Sequence, residues 1–165
     1  MATLILLRGN SGSGKSTVAR ALQEHWGPGT LLIPQDTVRR DMLMVKDRPG
    51  NPTPALLATI ARYGSERCAI TIMEGILNAE LYDSLFRALP VMFDNIHAYY
   101  FDVSFEETLR RHETRPQRHA FSPEAMRRWW VEHDFLTAIP EAIIPEASTL
   151  EETVAWIIAE VEGTI

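Results

Sequence analysis

The alternation of apolar runs and helical stretches predicts an α/β fold, a three-layer domain with a mostly parallel sheet between helices. Three observations carry that expectation. Five short β-rich runs are separated by stretches of helical periodicity. The 165 residues, 45% of them hydrophobic, suit one domain with one sizeable core. The first apolar run opens into a glycine-rich octet, and a helical stretch follows at once.

The elements follow in order. Leu4 to Leu7 is the first strand, and Val18, Ala19, Ala21, Leu22 and Trp26 recur at helical spacing after the octet. Gly27-Pro28-Gly29 stops that helix. Thr30 to Ile33 reads as a short buried strand, ended by Pro34-Gln35-Asp36, and Thr37 to Val45 as a short helix. Residues 46–54, rich in Pro, Gly and Asn, form a loop where a substrate flap would sit. Pro54 to Arg67 is a helix, Ala69 to Met73 a strand running into Glu74-Gly75, and 79–89 an amphipathic helix stopped by Pro90. Ile96 to Phe101 is a strand ending at Asp102. Ser104-Phe105-Glu106-Glu107 has the capping-box pattern for a helix through about Thr114. A polar link, Arg115 to His119, leads to a helix opened by Ser122-Pro123 and carrying Met126, Trp129 and Trp130. Ala142 to Ile144 is the last strand, and Ser148-Thr149-Leu150-Glu151 a second capping box for the terminal helix.

Composition narrows the partners. Net charge is −6 and the pI about 5.4. That balance argues against broad binding to nucleic acid or anionic membranes while leaving room for a local basic site. Only Lys15 and Lys46 are lysines; six of the arginines lie between Arg110 and Arg128. The one cysteine, Cys68, allows no intrachain disulfide and reads as a small core residue. No apolar run approaches a membrane span, and the N-terminal one is too short for a signal peptide, so a cytoplasmic protein, monomer or homodimer, is expected. The five histidines show no metal-ligand spacing.

The octet Gly9-Asn10-Ser11-Gly12-Ser13-Gly14-Lys15-Ser16 fits G-x-x-x-x-G-K-[ST], and Thr17 continues it into the helix. A triphosphate is wrapped closely here: the glycines leave room, and backbone N–H groups converge at the positive end of a helix dipole. Lys15 is expected to bridge the β- and γ-phosphates, and the Ser16 hydroxyl to hold Mg²⁺.

Polar residues just past the other strands suggest what becomes of the nucleotide. Asp36 could orient a substrate hydroxyl and take its proton, with Arg39 one turn on to hold the acceptor or the transferring group; the competing use of Asp36 is as an N-cap. Glu74 could hold a metal-bound water or a substrate hydroxyl, with Asp102 its rival. Arg111 and Arg115, four apart, share a helix face and could close a lid, about 111–134, over the phosphates; the competing use is a solvated helix end.

The order strand, phosphate loop, Asp36-x-x-Arg39, Glu74-Gly75 and Arg111-x-x-x-Arg115 resembles the small P-loop kinases of the nucleoside-monophosphate-kinase-like group. It is similar to predicted bacterial kinases, chloramphenicol phosphotransferase, gluconate and shikimate kinases, and polynucleotide kinase domains. The resemblance implies a P-loop NTPase fold with a five-stranded parallel sheet of order 2-3-1-4-5, ATP and Mg²⁺ as cofactors, and phosphoryl transfer to a hydroxyl. It implies that Arg111 lies near the adenine, Arg115 near the phosphates, and the Ala147-Ser148 loop along the adenine. It implies Asp36 as the acceptor-activating aspartate and Arg39 as its partner. A small-molecule acceptor is expected. A 5′-hydroxyl polynucleotide kinase is the alternative, and a regulatory nucleotide switch the reading from another class. No acceptor-binding signature of a shikimate, gluconate or nucleotide kinase is present.

Overall fold

A computed structural model describes residues 1–114 and 122–165. Five parallel strands form one sheet: β1 (Thr3–Gly9), β2 (Leu31–Pro34), β3 (Ile70–Gly75), β4 (Asn95–Asp102) and β5 (Ala142–Pro145), in the order β2-β3-β1-β4-β5. The order is the expected one. β1 lies at the centre, with Thr3 beside Ile70 on one side and Asn95 on the other. All seven of its residues are buried, which is why its sequence is a continuous apolar run rather than an alternation.

The pleat divides β1 between two cores. Leu4 and Leu6 join Leu57 and Ala61 of α2 (Thr53–Arg67) and Leu85, Phe86 and Leu89 of α3 (Asp83–Met92). Ile5 and Leu7 join Val18, Ala19 and Leu22 of α1 (Lys15–Trp26) and Ile157 and Val161 of α6 (Leu150–Glu162). Adjacent side chains on a strand point to opposite faces, so one strand serves both layers. α4 (Phe105–Glu113) and α5 (Pro123–Trp129) lie over the carboxyl end of the sheet, where Thr108 and Met126 pack beside Gly12.

Several boundaries differ from expectation. The short helix expected through Val45 is a π-helix that ends at Met42, Thr37–Met42. α3 starts at Asp83 and carries Pro90 in its last turn instead of stopping before it. There the proline forgoes only the bond its nitrogen would give the Phe86 carbonyl. The second capping box belongs to Thr149 and Glu152, one residue later than read: Thr149 Oγ1 accepts from the Glu152 N–H at 3.1 Å, and Glu152 Oε2 from the Thr149 N–H at 3.0 Å. Ser104 caps α4 by accepting from the Glu107 N–H, but the Glu107 carboxylate turns to Arg110 and Arg111 instead of closing its box. Cys68 is half-buried at the end of α2, not a core residue. Among the described residues, no helix is long and apolar enough to cross a membrane.

Candidate active site

The octet forms a loop between β1 and α1, at the carboxyl end of the sheet. Gly12 sits at φ +79°, and a Cβ there would lie 3.2 Å from the Thr108 carbonyl oxygen, so glycine meets both a left-handed backbone and a tight fit against α4. Gly9 has φ +145°, and its Cβ would come within 2.9 Å of the Phe101 carbonyl oxygen. Lys15, buried, folds back over the loop: its Nζ donates to the Asn10 carbonyl at 2.8 Å and to Ser13 Oγ at 3.3 Å. Ser11 is half-buried in the turn, and Thr17 is exposed on the first turn of α1.

Glu74 ends β3 against this loop. Its Oε1 accepts from Ser16 Oγ at 3.2 Å. The carboxyl is pushed above its ordinary value of 4.5, chiefly by burial; Lys15 and the Ser16 hydrogen bond oppose that, and the Asp36 charge adds to it. The structure thus brings Lys15, Ser16 and Glu74 together, with the Asp36 charge near enough to act on Glu74. Asp102, which follows the Phe101 partner of Gly9, lies 3.7 Å from His133 Nδ1. Ser16 and Glu74 offer hard oxygen donors of the kind magnesium takes. Among the described residues no group of three or more His, Cys, Asp or Glu is poised to hold an ion. A metal here would therefore be held by one or two protein oxygens, with phosphate and water completing the shell.

Asp36 follows β2 with its side chain 57% exposed and makes no capping bond to the helical turn. It pairs instead with Arg39 Nη2 at 3.0 Å and Arg40 Nε at 3.4 Å. Arg39 is largely buried: Nη1 donates to the Val45 carbonyl at 3.1 Å, while its buried Nε makes no hydrogen bond. The loop beyond is tied down by Asp47, whose two oxygens accept from Tyr82 Oη at 2.7 Å and Gln35 Nε2 at 3.4 Å. Gln35 Nε2 also donates to Tyr82 Oη at 2.7 Å. This small buried network has no sequence signature, since its members lie far apart in the chain.

On the other side of the loop a cavity of about 280 Å³ opens between β4, β5 and α6. Ser13, Gly14, Thr17, Phe101, Arg111 and Ser148 are among its walls. Arg111 is fixed by three acceptors: the Ser13 carbonyl at 2.8 Å, the Glu146 carbonyl at 3.1 Å and Glu107 Oε1 at 3.0 Å. Hydrogen bonds from Arg110 and Arg111 hold the Glu107 carboxyl down to about 2. Arg111 therefore joins the phosphate loop to the β5–α6 turn instead of standing in solvent. Arg115 lies outside the described residues.

The parallel sheet with β1 at its centre, and the glycine-rich loop feeding α1, define a P-loop nucleotide-binding fold. The chain belongs to the AAA-domain family, whose model matches residues 4–132. Among solved structures it is similar to a gluconokinase from Sinorhizobium meliloti 1021 (19% identity, 98% of this chain and 93% of that one, TM-score 0.72). It is also similar to APE1195 (19% identity, 99% and 96%, TM-score 0.72) and to a protein from Chloroflexus aurantiacus (18% identity, 98% and 97%, TM-score 0.65). At such identities the likeness is one of fold. No curated protein matches the chain by sequence.

Proposed function

We propose that this chain is a single-domain, ATP- and Mg²⁺-dependent phosphotransferase that moves the γ-phosphoryl group to a hydroxyl of a small molecule. The observation that carries the reading is the Ser16–Glu74 hydrogen bond beside buried Lys15, with the Asp36 charge close enough to act on Glu74. The loop amides and Lys15 bind the phosphates. Ser16 and Glu74 would hold the metal, which would supply charge neutralisation of the phosphate oxygens. Asp36 accepts the proton of the attacking hydroxyl, and Arg39, paired with Asp36, steadies the acceptor. Arg111 and Ser148 border the base in the cavity, and Arg115 neutralises charge on the transferring group. The fold shared with the Sinorhizobium gluconokinase supports a kinase without fixing the acceptor. An acidic chain without a membrane-crossing helix among its described residues suits a cytoplasmic enzyme, monomeric or homodimeric.

The test is transfer of labelled γ-phosphate from Mg-ATP to a panel of sugars, nucleosides and hydroxylated antibiotics, with a 5′-hydroxyl oligonucleotide in parallel. Label on a small molecule is the expected result and names the acceptor. Label on the oligonucleotide alone replaces this reading with a polynucleotide kinase. Tight Mg-ATP binding with no transfer to any acceptor favours a nucleotide switch.

A further inference from the structure

Two side chains at the entry to the phosphate loop reach one distant segment. Arg8 is wholly buried on β1. A guanidinium has five N–H donors, and the contacts of Arg8 occupy them all. Nε and Nη2 donate to the Leu77 carbonyl at 3.0 and 2.9 Å, Nη1 to the Asp134 carbonyl at 2.9 Å and Glu141 Oε1 at 2.8 Å, and Nη2 to Asp134 Oδ2 at 2.9 Å. Two residues on, Asn10 reads both backbone groups of Val131: its Nδ2 donates to the carbonyl at 2.7 Å, and its Oδ1 accepts from the N–H at 3.1 Å.

Residues 131–141 thus form a strap fastened to the phosphate loop at one end. Its middle is fastened to the acceptor side of the crevice. Asp134 Oδ2 also accepts from the Ala79 N–H at 2.9 Å, in the loop that follows Glu74-Gly75. The Asp134 N–H donates to Tyr100 Oη at 3.3 Å. A buried arginine with every donor spent has nowhere to shift without losing a bond. The Asn10 carboxamide, bonded through both its oxygen and its nitrogen, has two χ angles and no slack. Whatever fixes the backbone of Asn10 therefore fixes Val131.

We propose that Asn10 is a positioning residue: its side chain registers the 131–141 strap on the phosphate loop, so that the loop's closing on phosphate stiffens the strap and the 77–79 loop. This rests on the reading that the loop binds a nucleotide. The coupling is carried by hydrogen bonds between discrete partners and needs no displacement, only a loss of motion.

Hydrogen exchange on the full chain tests it, with and without Mg-ATP, for wild type, Asn10→Ala and Val131→Pro. The proline removes the N–H that Asn10 accepts and leaves the phosphate loop chemically unchanged. In wild type, Mg-ATP is expected to slow exchange over residues 131–136 and 77–82 about fivefold or more. Val131→Pro, which keeps only the Asn10 Nδ2 bond to the residue-131 carbonyl, should retain the slowing over residues 9–17 and lose most of that over the strap, and Asn10→Ala, read at a nucleotide concentration that saturates it, should lose the strap slowing altogether. An Asn10 that merely braces the strap gives another pattern: faster strap exchange in the variants, with the nucleotide-dependent slowing intact. That pattern overturns the proposal, and so does a wild type that binds Mg-ATP without slowing in the strap. A wild type that binds no Mg-ATP by calorimetry overturns the nucleotide reading, and the coupling with it. If Asn10→Ala does not fold, Val131→Pro decides the matter alone.

Discussion

The Ser16 hydroxyl donates to Glu74 Oε1 across 3.2 Å, joining the first turn of α1 to the end of β3. The bond holds a carboxylate in a buried place, and burial raises its proton affinity above the ordinary value of 4.5. The sign of the pH dependence follows. A carboxyl whose folded value is raised contributes stability that is fully present below its unfolded value and is lost as pH rises through the folded one. Glu74→Gln does not titrate, so its melting temperature relative to wild type should climb between pH 4 and pH 8. A difference that stays flat over that range would falsify the assignment. The same variant should lower Mg²⁺-supported transfer about ten- to a hundredfold.

Asp36→Asn should leave Mg-ATP affinity within about twofold and cut transfer by about a hundredfold or more, the usual weight of a general base. Single-turnover measurements with saturating nucleotide separate the two effects. Near-normal turnover on the true acceptor would make Asp36 only the ion-pair partner of Arg39 and Arg40.

Arg111→Ala removes the link between the Ser13 and Glu146 carbonyls. Nucleotide affinity should fall about tenfold as the cavity loses its charged wall. Equal loss for inorganic triphosphate and for ATP would place Arg111 on the phosphates rather than the base. Arg115→Ala should instead lower turnover more than affinity, by the split between kcat and KM.

If Lys15 serves the phosphates as proposed, Lys15→Ala should abolish transfer, a loss of at least about a hundredfold. Circular dichroism should show the fold intact, with the sheet and the two cores of β1 unchanged.

Arg8→Ala should destabilise the chain by about 3–5 kcal/mol, the cost of leaving buried partners without their charge. Glu141, 3% exposed, is the more severely stranded of the two carboxylates. Denaturant unfolding measures the loss.

The loop was legible because its residues are contiguous and each has a spacing-fixed role. The strands were legible because a fully buried parallel strand is a bare apolar run, as in β1. The capping-box register was not, because Ser148-Thr149 and Glu151-Glu152 offer two equivalent pairs, of which the structure uses Thr149 with Glu152. Pro90 misled because a proline near a helix end can sit inside the last turn at the loss of one bond. Arg8 was invisible as anything but a strand residue: its carboxylate partners lie 126 and 133 positions away. Asn10 drew attention as a motif filler, while its side chain serves a contact 121 residues distant.

The central place of β1 has a bearing on how the chain is made. It is synthesised before both of its neighbours, β3 and β4, so Thr3 waits for Ile70 and for Asn95 before either edge is covered. The Arg8 guanidinium waits longer, until Glu141 has emerged. During vectorial synthesis the apolar β1 is therefore unaccompanied until β3 follows, and a cation bound for the interior lacks its second carboxylate partner for 133 positions. Such non-local pairing slows folding and exposes sticky surface. Nascent chains arrested before residue 141 should for that reason be held by chaperones, and native-like protease resistance should appear only once the last strand is out.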